Sequence, residues 1–415
     1  MRTKTSSFIL ALLLLLSVGQ ALPVQSHWVG TWAASQQRPE PQNALSKDDL
    51  HDATLRQIIH LSLGGSRLRV HLSNRFGTAP FHIASAHVAR AQSRDSGTII
   101  TASDKALTFS GSADLTIPAG AEYVSDPLVF SARAFSDLAI TLSIEEPPAE
   151  QTGHPGSRET SFLVHGDSVS AGELPEAKKV DHWYFISGVD VEVAASGARS
   201  VVTLGDSITD GHGATTNGND RWPDVLAERL RSNPRTRDVG VLNHGIGGNR
   251  LLLDGLGPNA LARFSSDVIA QTGVRYLIVL EGINDIGTLA RDHEVPQSEH
   301  DALVRHMIGA YEQMIVRAHA HGIKTIGATI LPFAGSGYYH PDDTSEHDRQ
   351  AVNQWIRARG HFDMVVDLDK VTRDPQHPDR LLPAYDSGDH LHPSPAGYRA
   401  MGNAFPITLF VMKDK

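Results

Sequence analysis

Five short apolar runs organise the second half of the sequence, at residues 201–204, 239–242, 276–280, 325–330 and 364–368. Helix-patterned segments fill the gaps between them, at 223–231, 260–269, 300–320 and 346–358. Val, Ile and Leu in continuous runs mark strands buried on both faces. Parallel strands need long crossovers, and the helical segments supply them. The alternation predicts an α/β domain with a doubly wound parallel sheet over residues 199–415. Right-handed crossovers place all strand C-termini on one edge of such a sheet, where ligands bind.

Three of the runs lead into polar, glycine-rich motifs. These are Gly205-Asp206-Ser207, then Asn243-His244-Gly245-Ile246-Gly247-Gly248-Asn249, then Gly282-Ile283-Asn284-Asp285. A fourth, Asp389-His390-Leu391-His392-Pro393, precedes a short helical stretch at 395–404. Each alone has an ordinary turn composition. On one shared rim they compose an acyl-transfer set. Ser207 is the candidate nucleophile, and a hydroxyl needs a base to act as one. His392 is the candidate base, with His390 as its rival two residues away. Asp389 is close enough in sequence to reach the second imidazole nitrogen and stabilise the imidazolium. The backbone N–H groups of Ser207 and Gly248 and the side-chain amide of Asn284 are the candidate oxyanion donors.

Residues 27–198 have a different texture. Segments 59–63 and 68–72 alternate apolar and polar residues around Gly64-Gly65 and read as a hairpin. Further strands are expected at 83–88, 107–109, 128–130, 138–144 and 183–193. Many short strands separated by turns predict a β-sandwich-like domain. Ahead of it, a basic start, an apolar run over 8–18 and small residues near 21 and 26 predict a signal peptide over 1–26, cleaved near one of those positions. The apolar run is shorter than the roughly 20 residues that span a bilayer. An exported chain, secreted or periplasmic, without a transmembrane segment is the expectation.

Composition closes several routes. The sequence has no cysteine, which excludes disulfides, thiolate nucleophiles and cysteine-bound metals. A net charge of −10 opposes a nucleic-acid partner. A metal reading can draw on Asp386, Asp389, His390 and His392, yet no His-Glu-x-x-His appears. Gly245-x-Gly247-Gly248 does not fit a dinucleotide fingerprint, so no cofactor and no metal are expected. Tyr338 and Tyr339, in a glycine-rich segment after the fourth run, are candidates to stack on a sugar or acyl group.

The four motifs in this order resemble the SGNH, or GDSL, ester hydrolases, over a little more than half of the chain. The resemblance implies a flavodoxin-like three-layer α/β/α domain. It also implies Ser207 as nucleophile, Gly248 and Asn284 as oxyanion donors, and His392 with Asp389 as triad partners. The Asp-x-x-His-Pro spacing selects His392 over His390. The opening Trp28-Val29-Gly30-Thr31-Trp32-Ala33-Ala34-Ser35, with a β-rich domain ahead of the serine, resembles a subgroup of exported bacterial esterases, some associated with xylan degradation. A carbohydrate acetylesterase acting on a small-molecule or polysaccharide-borne ester is thereby implied. The alternatives are a lipolytic esterase or lysophospholipase with the same machinery, and a carbohydrate-binding protein with an inert hydrolase domain.

Overall fold

The computed structural model describes residues 27–195 and 197–411. The signal peptide predicted over 1–26 lies outside the described residues. No described helix is long and apolar enough to cross a membrane.

The longer strands of the first part are β1 (His27–Ala33), β2 (Ala53–His60), β3 (Gly65–Ser73), β4 (Ser85–Arg90), β5 (Asp137–Ile144), β6 (Ser161–His165) and β7 (Ile186–Val193). They form two antiparallel sheets. One runs β1-β7-β3, and the other includes β6-β2-β5-β4. Alternation along β3 buries Leu68, Val70 and Leu72 between half-exposed Arg69 and His71. Those three leucine and valine side chains share one core with Leu55 and Ile59 of β2 and Leu138, Ile140 and Leu142 of β5.

The predicted hairpin at 59–72 does not form, because β2 and β3 belong to different sheets. Gly64 and Gly65 mark a close crossing rather than a turn, and neither has a positive φ. A Cβ at Gly64 would stand 2.7 Å from the Ala132 carbonyl oxygen, and one at Gly65 2.6 Å from that of Glu192. The strand expected over 183–193 is interrupted at Phe185, whose φ is 61°. Trp183–Tyr184 therefore pairs with Gly153–His154, and the chain around residue 154 is drawn toward the serine turn.

Five parallel strands follow: β8 (Arg199–Gly205), β9 (Val239–Gly245), β10 (Val274–Leu280), β11 (Lys324–Ala328) and β12 (Met364–Val366). Their order, β9-β8-β10-β11-β12, reverses direction between β8 and β10, the switch point of a doubly wound sheet. The helices around it include α1 (Ser207–Asp210), α2 (Trp222–Arg231), α3 (Ala260–Phe264), α4 (Ile283–Leu289), α5 (Gln297–Ala320), α6 (Asp343–Arg357) and α7 (Pro395–Ala404). α2 packs on α7, whereas α5 packs on α3 and α6. The helix expected over 260–269 changes at Phe264 into a π turn, Ser265–Ile269.

An edge strand such as β9 leaves backbone groups unpaired. The first part of the chain covers that edge. The Val241 N–H donates to Ser62 Oγ at 3.0 Å, and a Cβ on Gly240 would overlap the Gly30 carbonyl oxygen. The first part of the chain therefore packs against the β9 edge of the parallel sheet.

Candidate active site

Ser207 is the first residue of α1, directly beyond β8. The turn is tight because glycine occupies two crowded positions. A Cβ on Gly205 would collide with the Leu280 carbonyl oxygen, and one on Gly245 with the Asp210 backbone. Asp206 caps the turn, its Oδ1 accepting the Ile208 N–H at 2.9 Å. Burial pushes the Asp206 carboxyl up to about 7 against that bond.

Residues 386–393 bring the histidine to the serine. His392 Nε2 lies 2.8 Å from Ser207 Oγ, and Nδ1 lies 2.6 Å from Asp389 Oδ2. The other Asp389 oxygen accepts the backbone N–H groups of Leu391 at 3.0 Å and His392 at 2.8 Å. The three-residue spacing thus works through a loop folded around its own carboxylate, not through a helix. Burial resists the charge on Asp389, but the His392 ring and these N–H groups hold it well below the usual carboxylate range. His390 is turned away, with Nδ1 2.5 Å from Asp386 Oδ2.

Asn284 enters at the start of α4, just after Gly282, whose φ of 113° suits glycine. Its Nδ2 donates to the Asn249 carbonyl at 2.7 Å, and its Oδ1 accepts the Tyr339 hydroxyl at 2.5 Å. One amide N–H remains. Gly248, with φ 67°, lines the same cleft as Asn284. Ser207, Gly248, Asn284, Tyr338 and His392 line one cleft of about 760 Å³. The structure therefore brings Ser207, His392, Asp389, Gly248 and Asn284 together. It separates the two tyrosines expected to stack on ligand: Tyr338 stays 61% exposed, whereas Tyr339 is buried and spends its hydroxyl on Asn284.

Several participants carry no sequence signal, since only tertiary packing assembles them. His212 stands beside the catalytic-type imidazole, its ring centroid 4.1 Å from that of His392. Arg158 donates to His212 Nδ1 at 2.7 Å. His154 Nε2 meets Asp210 Oδ1 at 2.8 Å. Beneath the turn, Glu281 is buried 3.8 Å from Arg263, and burial together with Asp206 raises its carboxyl well above the ordinary range.

Among the described residues, His212, Asp389 and His392 hold ligand-type atoms within 4.8 Å of one another. Both His392 nitrogens and His212 Nδ1 are already bonded, and the Arg158 cation borders the group. A metal would have to break those bonds, so the donor set does not fit one. The metal set read from the sequence does not gather either, because Asp386 and His390 pair with each other.

A serine turn and a histidine loop on the rim of a doubly wound sheet define an α/β hydrolase domain. Residues 203–400 match the GDSL-like lipase/acylhydrolase family. Similar solved structures include a GDSL-like lipase from Bacteroides thetaiotaomicron, 20% identical over 50% of this chain and 85% of that one, TM-score 0.36. Another is LAE5, an α/β hydrolase enzyme from the metagenome of Lake Arreo, Spain, 21% identical over 52% and 98%, TM-score 0.37. A third is the aryl esterase of M. smegmatis, 17% identical over 50% and 96%, TM-score 0.38. A search of the curated proteins found no match.

Proposed function

We propose that the protein is a serine ester hydrolase that works through an acyl-enzyme. One observation carries this reading: the unbroken chain from Ser207 Oγ to His392 Nε2 (2.8 Å) and from His392 Nδ1 to Asp389 Oδ2 (2.6 Å). His392 takes the serine proton as Oγ attacks the ester carbonyl, and Asp389 stabilises the resulting imidazolium. The Ser207 and Gly248 N–H groups and the free amide N–H of Asn284 receive the oxyanion. His392 returns the proton to the leaving alcohol. Water, activated by the same imidazole, then releases the acid and restores Ser207.

The substrate is a carboxylic ester, and an acetyl ester on a xylan-type carbohydrate is our reading. The open cleft and the exposed Tyr338 ring at its rim favour a ligand that lies across the surface. An exported enzyme, with a β-sandwich-like domain ahead of a flavodoxin-like three-layer domain, completes the proposal. Hydrolysis of p-nitrophenyl acetate by the wild-type protein, lost in Ser207→Ala, tests the chemistry. Comparing p-nitrophenyl esters of rising chain length with acetylated xylan tests the substrate. A preference for long acyl chains would turn the reading toward a lipolytic esterase.

A further inference from the structure

One side chain from the β-rich part reaches the cleft wall indirectly. Arg158 has a φ of 52°, and its carbonyl accepts the Asn217 N–H at 2.8 Å. From that anchored position its Nη2 donates to His212 Nδ1 at 2.7 Å. Arginine cannot accept a hydrogen bond, so Nδ1 is the bare nitrogen and the His212 proton sits on Nε2. Burial, then the neighbouring His392 and Arg158 charges, push His212 down to about 4, so the ring is neutral near pH 7.

The Nε2–H of His212 is 4.0 Å from Asp389 Oδ2, beyond hydrogen-bond reach. Among the described residues it is an oriented donor without a hydrogen-bond partner, on a side chain 50% exposed and lining the cleft. The backbone fixes the ring's position from both ends. The His212 N–H donates to the Ser207 carbonyl at 2.9 Å, and the Tyr398 hydroxyl donates to the His212 carbonyl at 2.6 Å.

The chemistry says which half of the substrate this wall meets. His392 must hand its proton to the leaving oxygen, so the alcohol half lies against His392. The oxyanion donors Gly248 and Asn284 take the carbonyl oxygen instead. His212 packs on His392 and therefore borders the alcohol. We propose that His212, oriented by Arg158, is a specificity-determining residue whose Nε2–H binds an oxygen carried by the alcohol half of the ester. The β-rich part then contributes to selectivity through Arg158. This inference rests on the reading of Ser207 as nucleophile.

The test compares 2-hydroxyethyl acetate with n-propyl acetate, esters of one acid whose alcohols match in size and differ by a hydroxyl in place of a methyl. The wild-type protein should favour the hydroxylated ester in kcat/KM. His212→Phe should lower that preference by about tenfold, the worth of one neutral hydrogen bond. His212→Gln, which keeps an N–H donor, should recover part of it. Arg158→Ala, which frees the ring without touching the cleft, should lower it by a smaller factor. An unchanged ratio in His212→Phe and Arg158→Ala, with both esters still hydrolysed by wild type, overturns this inference alone. A wild-type protein that hydrolyses neither ester nor p-nitrophenyl acetate overturns the underlying esterase reading.

Discussion

Among the described residues, serine, histidine and aspartate meet at the rim and again at the junction between the β-rich part and the parallel sheet. At the rim, the imidazole of His392 stands between the Ser207 hydroxyl and the Asp389 carboxylate. At the junction, the hydroxyl stands in the middle. Ser35 Oγ donates to Asp267 Oδ2 at 2.7 Å and lies 3.0 Å from His244 Nδ1, while Arg263 Nη1 donates to it at 2.9 Å. Ser35 has one proton and gives it to the carboxylate, so His244 Nδ1 is the donor in that pair. The Ser35 proton faces a carboxylate already paired with Arg263 at 3.0 Å rather than an imidazole, and the residue is 1% exposed. The same three residue types make a relay in one order and a structural clamp in the other.

The sharpest way to break this comparison is to remove each hydroxyl. Ser207→Ala should lower kcat by a factor of about 10⁴ or more with an unchanged melting temperature. Ser35→Ala should keep kcat within a few-fold and cost about 1–3 kcal/mol of stability, because Asp267 and Arg263 lose a buried partner. Steady-state kinetics and thermal melts on both variants decide it. Next come the carboxylates. Asp389→Asn should lower kcat by about 10³–10⁴, since the imidazole loses its stabilised tautomer. Asp267→Asn should instead destabilise by about 3–5 kcal/mol, leaving the Arg263 charge buried without its 3.0 Å counter-ion.

Smaller effects sharpen the rim. Asn284→Ala should lower kcat by about 10²–10³ as one oxyanion donor disappears. Tyr339→Phe should lose less, about 3–10-fold, because it frees the Asn284 amide to rotate without deleting it. Raised activity in Tyr339→Phe would remove that positioning role.

The smallest effect is the junction's share of the acid limb in stability. Burial pushes His244 from 6.5 down to about 4, so its neutral form stabilises the fold above pH 6.5 and that contribution is lost as pH falls toward 4. Burial resists the Asp267 charge, but Arg263 and His244 bring it from 3.8 down to about 2, so its contribution is lost as pH falls from about 4 toward 2. Asp206, pushed up to about 7, acts in the opposite sense across the upper window, so the junction's share is read as the difference in melting temperature between wild type and variant. That difference should fall between pH 6.5 and 4 for His244→Asn, and between about 4 and 2 for Asp267→Asn.

The parallel sheet was legible because 276–280 is apolar throughout and 201–204 is broken only by Thr203, a pattern that burial on both faces demands. The rim residues were legible because the sheet topology alone sends Gly205-Asp206-Ser207 and Gly282-Ile283-Asn284-Asp285 to one edge. The crossing at Gly64-Gly65 was not, since a glycine pair looks identical whether it makes a turn or lets two backbones touch. Tyr339 read as a candidate to stack on ligand because nothing local records that its hydroxyl finds Asn284, 55 positions away. Arg158 and His212 belong to different architectural layers, so no spacing in the sequence could pair them. His244 sits inside a motif that points to the rim, yet its side chain serves the junction.

Treatment of the wild-type protein with a fluorophosphonate, followed by peptide mass mapping, distinguishes the two serines, because the reagent marks only a serine whose hydroxyl faces a base and an open cleft. One adduct is expected, on the peptide containing Ser207, with Ser35 unmodified. An adduct on Ser35, or no adduct on a folded protein, would remove Ser207 as the nucleophile.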